Sequence, residues 1–198
     1  MTNPTTPTPM HPLRRALTLW GALIALMWLI LITDWILPAH LTAHGITPRS
    51  LEGLTGIATA PFLHADAGHL VSNMVPLIVM GTIAALRDWR GMWTALAVSL
   101  LVSGLGVWLF SPTYSVTVGA SGVVFGLFGY LLARGIVMRR IGDLLIALLL
   151  VAVYGSMVWG IFPSQPHISW QAHLFGFAGG VAAAFMARTA AKATSPAA

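Results

Sequence analysis

Six hydrophobic runs, separated by short polar or Gly/Pro-containing breaks, organise the chain. The first covers residues 16–37 and follows Arg14 and Arg15. About 20 apolar residues suffice to cross a hydrocarbon core of about 30 Å. Trp20, Trp28 and Trp35 lie along the run, two of them near its ends, as interfacial anchors do. A charged start before an apolar run also fits a signal peptide, but this run is long and no clear small-residue cleavage site follows it. A second run covers 66–86 and stops at Arg87-Asp88-Trp89-Arg90-Gly91, and a third covers 92–110 and stops at a turn over 111–115. The fourth begins at Ser121 and stops at Arg134-Gly135. Its roughly 14 residues make about 21 Å of helix, short for a membrane span, so shielding by its neighbours is expected. Runs five and six cover 144–162 and 170–187. Residues 38–63 form the longest mixed segment, with a short interfacial helix expected over 50–57.

Composition turns this pattern into a class. The 198 residues are 57% hydrophobic and 8% charged, against about a quarter charged in a soluble domain. A net charge of +5 invites a nucleic-acid partner, but the placement of the charges argues otherwise. With six spans, nine of the ten basic residues fall on the side of the termini and only Arg49 on the other. The positive-inside rule makes the terminal side cytoplasmic. The expectation is an all-α membrane protein with six transmembrane helices, N-in and C-in. Residues 1–13 are a short cytoplasmic tail, 14–189 the transmembrane domain and 190–198 a second tail. Cysteine is absent, which excludes disulfides and thiolate chemistry.

Topology then sets the depth of each polar residue. Ser121 opens the fourth span at its outer end, and His173 lies three residues into the sixth, also at its outer end. His69 and Asn73 lie in the first two turns of the second span and, four apart, share one helix face. Polar groups at membrane depth are costly and turn toward the bundle interior or a watery cavity. Gly122 and Gly126 on the fourth span, and Gly176 and Gly180 on the sixth, make small-xxx-small pairs that let helices approach closely. Packing through those faces brings Ser121 and His173 together. Histidine is the usual base for a serine nucleophile. The oxyanion of acyl transfer needs fixed donors, for which the Ser121 N–H, His69 and Asn73 are candidates. Five acidic residues exist, Asp34, Glu52, Asp66, Asp88 and Asp143, and none is evident as a triad partner. A Ser–His dyad is the simpler expectation. Taken singly, each residue has a plainer reading: Ser121 as a helix cap, His173 as a packing residue, Asn73 as interhelical glue, the glycines as packing and Asp66 as the cap of the second helix. Jointly, those readings need several coincidences of depth, order and spacing. A metal site from His64, His69 and His173 lacks an HExxH pattern or a carboxylate cluster, so no metal and no cofactor are expected. A small transporter would need repeats or mid-membrane charges, and neither is evident.

Gly119-Ala120-Ser121-Gly122 with Gly126, Ala172-His173 with Gly176 and Gly180, and the HxxxxHxxxN element His64, His69, Asn73 together resemble the rhomboid family of intramembrane serine proteases, in family order over about residues 46–187. The resemblance implies Ser121 as nucleophile and His173 as general base, with His69, Asn73 and backbone N–H groups as the oxyanion hole. It implies cleavage of single-span transmembrane substrates near the outer face, in a site opening to the extracytoplasmic side of a plasma (inner) membrane of bacterial type. Membrane lipid and transmembrane proteins are the implied partners, with no nucleic acid. A cap over 163–169 is implied too. Phe125 stands where many members carry Tyr. The alternative is a non-catalytic rhomboid-like protein that binds transmembrane helices.

Overall fold

The computed structural model describes residues 10–37, 39–163 and 168–193. Seven α-helices follow one another: α1 (Pro12–Ile36), α2 (Gly56–Thr59), α3 (Ala67–Arg87), α4 (Trp89–Phe110), α5 (Ser121–Val137), α6 (Ile141–Tyr154) and α7 (Trp170–Ala193). A 3-10 segment, Gly155–Ile161, continues α6. Six of the seven helices fall on the six hydrophobic runs. Four are long and apolar enough to cross a membrane: α1, α3, α4 and α6 with its 3-10 continuation. The chain is a helical membrane bundle, and the described residues contain no strand beyond one isolated Ile46–Thr117 bridge. The expected helix over 50–57 is instead a 3-10 turn, Glu52–Leu54, followed by the single turn of α2. Most of the two expected tails, the residues before 10 and after 193, lie outside the described residues.

α5 is the hub. It is buried on nearly every side, with Leu127, Tyr130 and Leu131 sealed inside, as a helix apolar all round should be. The neighbours α3, α4, α6 and α7 supply the shielding that its length demands. α6 is the opposite case. Only Asp143, Ala147 and Leu150 are buried, while Leu145, Leu148, Leu149, Val151 and Val153 are exposed, an apolar surface suited to lipid.

Glycines set the approach of α5 to α7. A Cβ on Gly176 would strike the carbonyl oxygen of Gly122, and one on Gly180 that of Gly126. On the next face of α5, a Cβ on Gly122 or Gly126 would strike Ser103 or Ser99 of α4. Ser103 Oγ donates to the Ala172 carbonyl of α7 at 2.9 Å, tying all three helices together.

Two breaks differ from the sequence expectation, and charge explains both. The break over 87–91 shrinks to the single residue Asp88, which ends α3 and caps α4 by accepting from the Gly91 N–H at 2.9 Å. α5 runs through Arg134-Gly135 to Val137, because Arg134 is not a solvated helix end. It is 3% exposed. Its guanidinium donates to Asp143 at 3.1 Å, Asp88 at 3.2 Å and the Tyr130 hydroxyl at 3.2 Å, while Arg87 donates to the same Asp143 oxygen at 2.8 Å. A buried charge is tolerable only when paired in this way.

Candidate active site

The loop before α5 is built to a tight specification. Gly119 has φ +111°, a left-handed conformation that favours glycine, and the His69 imidazole occupies the space a Cβ would need. Gly119 N–H donates to the Ala60 carbonyl at 2.8 Å, and Ala120 N–H faces His64 Nε2 at 3.4 Å. One step earlier, Thr117 and Ile46 exchange backbone hydrogen bonds of 3.0 and 2.9 Å. These bonds leave the Ser121 N–H among the donors that the first turn of a helix does not use itself. Ser121 is the first residue of α5, after the capping position Ala120.

Segment 40–63 is therefore a brace. Arg49 donates to the carbonyls of Leu109 and Ser111 at 2.8 Å each, closing the end of α4. Trp108 Nε1 donates to the Ser50 carbonyl at 2.8 Å, and Thr59 Oγ1 to the His44 carbonyl at 2.6 Å. Sequence reasoning passed over this role of Arg49. Its isolation from the nine other basic residues was the available signal.

On α3, Asp66 caps the helix, its Oδ1 accepting from the His69 N–H at 2.8 Å. His69 and Asn73 both face the cavity described below, and Asn73 Nδ2 donates to the His69 carbonyl at 2.9 Å. Behind His69, the His64 ring packs edge-on with its centroid 5.1 Å away. His64 lies before α3 and is 2% exposed. Burial first, and the charge of His69 second, lower its pKa from 6.5 to about 4. It is a neutral acceptor at ordinary pH.

His173 occupies the first turns of α7 and is 8% exposed. Phe125 of α5 stacks on it face to face, centroids 4.0 Å apart and planes 7° from parallel. Its Nδ1 lies 2.9 Å from the carbonyl oxygen of Gly160. Among the described residues no carboxylate bonds to this ring. Asp66 caps α3, Asp34 accepts from Leu41 N–H, and Asp88 and Asp143 belong to the Arg134 cluster.

Ser121, His69, Asn73 and His173, with Phe125 and Pro76, line one open cavity of about 1290 Å³. The structure thus brings the four sequence-selected polar residues to a common wall, from three helices. No hydrogen bond between Ser121 Oγ and His173 Nε2 is formed among the described residues. Catalytic hydrogen bonds are often long before substrate binds. The cavity has room for water beside the serine. Pro163, Ile168 and Ser169 border it, while 164–167, the centre of the expected cap, lie outside the described residues. Residues 64, 69 and 173 form no metal cluster with carboxylates among the described residues.

Comparison with known proteins agrees with this architecture. The family model described as the Rhomboid domain matches residues 52–190. An uncharacterised protein of Mycobacterium tuberculosis is 34% identical over 195 residues, 92% of this chain and 81% of its own. The Bacillus subtilis protein YdcA, whose name makes it a candidate rhomboid protease, is 31% identical over 180 residues, 83% of this chain and 84% of its own. The chloroplastic Rhomboid-like protein 11 of Arabidopsis thaliana is 34% identical over 117 residues, 52% of this chain and 39% of its own. With a family match over residues 52–190, well over half of the chain, the chain belongs to the rhomboid family.

Proposed function

We propose that the protein is an intramembrane serine endopeptidase that cuts single-span transmembrane proteins near the outer membrane face. The observation that carries this reading is the shared wall of Ser121 and His173, on two helices locked together by glycine contacts, in a cavity with room for water. In the mechanism, His173 Nε2 takes the proton of Ser121 Oγ as the oxygen attacks the scissile carbonyl. The oxyanion is held by the Ser121 N–H, with His69 and Asn73 as further donors. The intermediate collapses to an acyl-enzyme as the scissile C–N bond breaks and protonated His173 gives its proton to the leaving amine; cavity water, with the same histidine as base, then hydrolyses the ester and frees Ser121. The membrane arrangement proposed with it is six spans, both termini cytoplasmic, and a site facing the extracytoplasmic side of a bacterial-type inner membrane. The charge positions support that orientation. Arg15 stacks over Trp89 at 3.9 Å, at the end that holds Arg87 and Arg134, while Arg49 braces the opposite end.

The test is cleavage of a model single-span substrate by purified protein in detergent, with wild type beside Ser121→Ala. Cleavage by wild type alone supports the enzyme and its nucleophile together. Equal cleavage by both overturns Ser121 as nucleophile. The second reading is a rhomboid-like protein that binds transmembrane helices without cutting them. Failure of wild type to cleave, joined to failure of a serine-directed probe to label Ser121, would overturn the protease and leave that reading.

A further inference from the structure

A serine–histidine pair without a carboxylate lacks the group that usually fixes the tautomer and tilt of the base. The geometry points to the backbone carbonyl of Gly160, on the 3-10 continuation of α6, as the group that orients His173. This inference rests on the proposed protease reading for its kinetic consequence, though not for its structural one.

Two contacts define the ring. Phe125 lies flat against one face, which fixes the plane but leaves the imidazole free to flip within it. The Gly160 oxygen meets one edge at Nδ1, 2.9 Å away. A carbonyl oxygen only accepts, so the neutral ring must carry its proton on Nδ1. Nε2 is then the unprotonated nitrogen, the form a general base for Ser121 requires. In the other tautomer two lone pairs would face each other at Gly160, and Nε2 would already be protonated.

Glycine at 160 leaves room for this contact. A Cβ there would lie 3.0 Å from both His173 Nδ1 and Phe125 Cζ, tighter than ordinary packing permits. An added methyl group must therefore push the 3-10 segment away from the ring or displace the Phe125–His173 stack. Met157 packs the segment against the core, and the rest of it is lightly held. Among its residues Val158 and Trp159 are exposed and none is fully buried. Seven residues of 3-10 geometry is also unusually long, a mark of local adjustment to a tertiary demand. Gly155, in the same segment, provides the contrast. A Cβ there meets only Val151 at an ordinary 3.7 Å.

The experiment is ¹⁵N NMR of the His173 ring in the full-length protein in detergent, with cleavage kinetics on the same samples. The wild type should show a protonated Nδ1 and an unprotonated Nε2 above the titration of the ring. Gly160→Ala should shift the ring toward a mixture of tautomers and lower kcat by roughly 10- to 100-fold, less than the 10²–10⁴-fold of a whole general base because the ring itself remains. KM should change little. Gly155→Ala should leave the tautomer and kcat as in wild type. A wild-type ring protonated on Nε2 overturns the inference whatever the variants do, as does a folded Gly160→Ala with unchanged tautomer and kcat. A wild-type ring in the expected tautomer on a protein that cleaves nothing upholds the role of Gly160 and counts against the protease reading instead.

Discussion

The bundle buries polar side chains at both ends, in opposite ways. Around Arg134 the groups are spent on each other. One guanidinium serves Asp143, Asp88 and Tyr130, a second arginine serves Asp143, and only Asp143 Oδ2 lacks a partner among the described residues. Around Ser121 the groups are half used. His173 spends Nδ1 on Gly160 and keeps Nε2, Asn73 spends one amide hydrogen on its own helix, and the Ser121 side chain faces a cavity. A closed network holds helices in place and has no bonding capacity left for a reactant. An open one is held by its surroundings, here the 40–63 brace and the glycine contacts, and keeps that capacity for chemistry. Polar burial alone therefore does not identify a site. Unspent donors and acceptors gathered on one cavity wall mark a candidate.

The sharpest way to break this comparison is to remove one group from each end. Ser121→Ala should lower cleavage of a model substrate by about 10³-fold or more, with thermal unfolding in detergent close to wild type, because the hydroxyl holds nothing else. Arg134→Ala should do the reverse. It leaves Asp143 to Arg87 alone and takes the guanidinium from Asp88 and Tyr130, and should cost up to about 3 kcal/mol of stability, the low end for breaking a buried pair because one partner remains, while the protein that stays folded keeps most of its activity. If Ser121→Ala unfolds the protein as readily as Arg134→Ala does, the half-used end is structural as well and the contrast fails.

A smaller effect separates the members of the open end. On the proposed mechanism, Asn73→Ala should slow cleavage by about 10²-fold, the low end for loss of one oxyanion donor, because the Ser121 N–H and His69 would remain. The fall should be in kcat and not in KM. A change confined to KM would assign Asn73 to substrate binding.

Much of this was legible in the chain, for identifiable reasons. The six long helices announce themselves as apolar runs, and the His69–Asn73 pair as an i, i+4 face. Gly122, Gly126, Gly176 and Gly180 signal close approach because a missing side chain is itself a pattern. Arg134 was misread because a basic residue at the end of an apolar run is normally solvated. Its partners Asp88 and Asp143 come from two other breaks, and no periodicity connects them. The brace was invisible because the Ile46–Thr117 exchange and the bonds of Arg49 use backbone groups that every residue has. Gly160 escaped notice likewise, since a lone glycine in an apolar run carries no mark of the carbonyl beside it.

The gentlest probe of the open end is pH, through His64. Its folded pKa of about 4 lies below its ordinary 6.5, so the unfolded chain binds a proton more readily than the folded one. The stability this burial allows is fully present above pH 6.5 and is lost as pH falls from there toward 4. Between about pH 7.5 and pH 6 the loss amounts to at most about 1 kcal/mol, read as a small drop in Tm. His64→Gln offers an amide oxygen to the Ala120 N–H and does not titrate. It should flatten that part of the Tm–pH curve, since every other titrating group is shared with the wild type. Because His64 braces the turn that delivers Ser121, the same variant should retain activity at pH 7.5. An unchanged slope would mean that His64 is not held neutral at the back of the loop. A flattened slope with lost activity would mean that the glutamine amide cannot replace the ring as a brace.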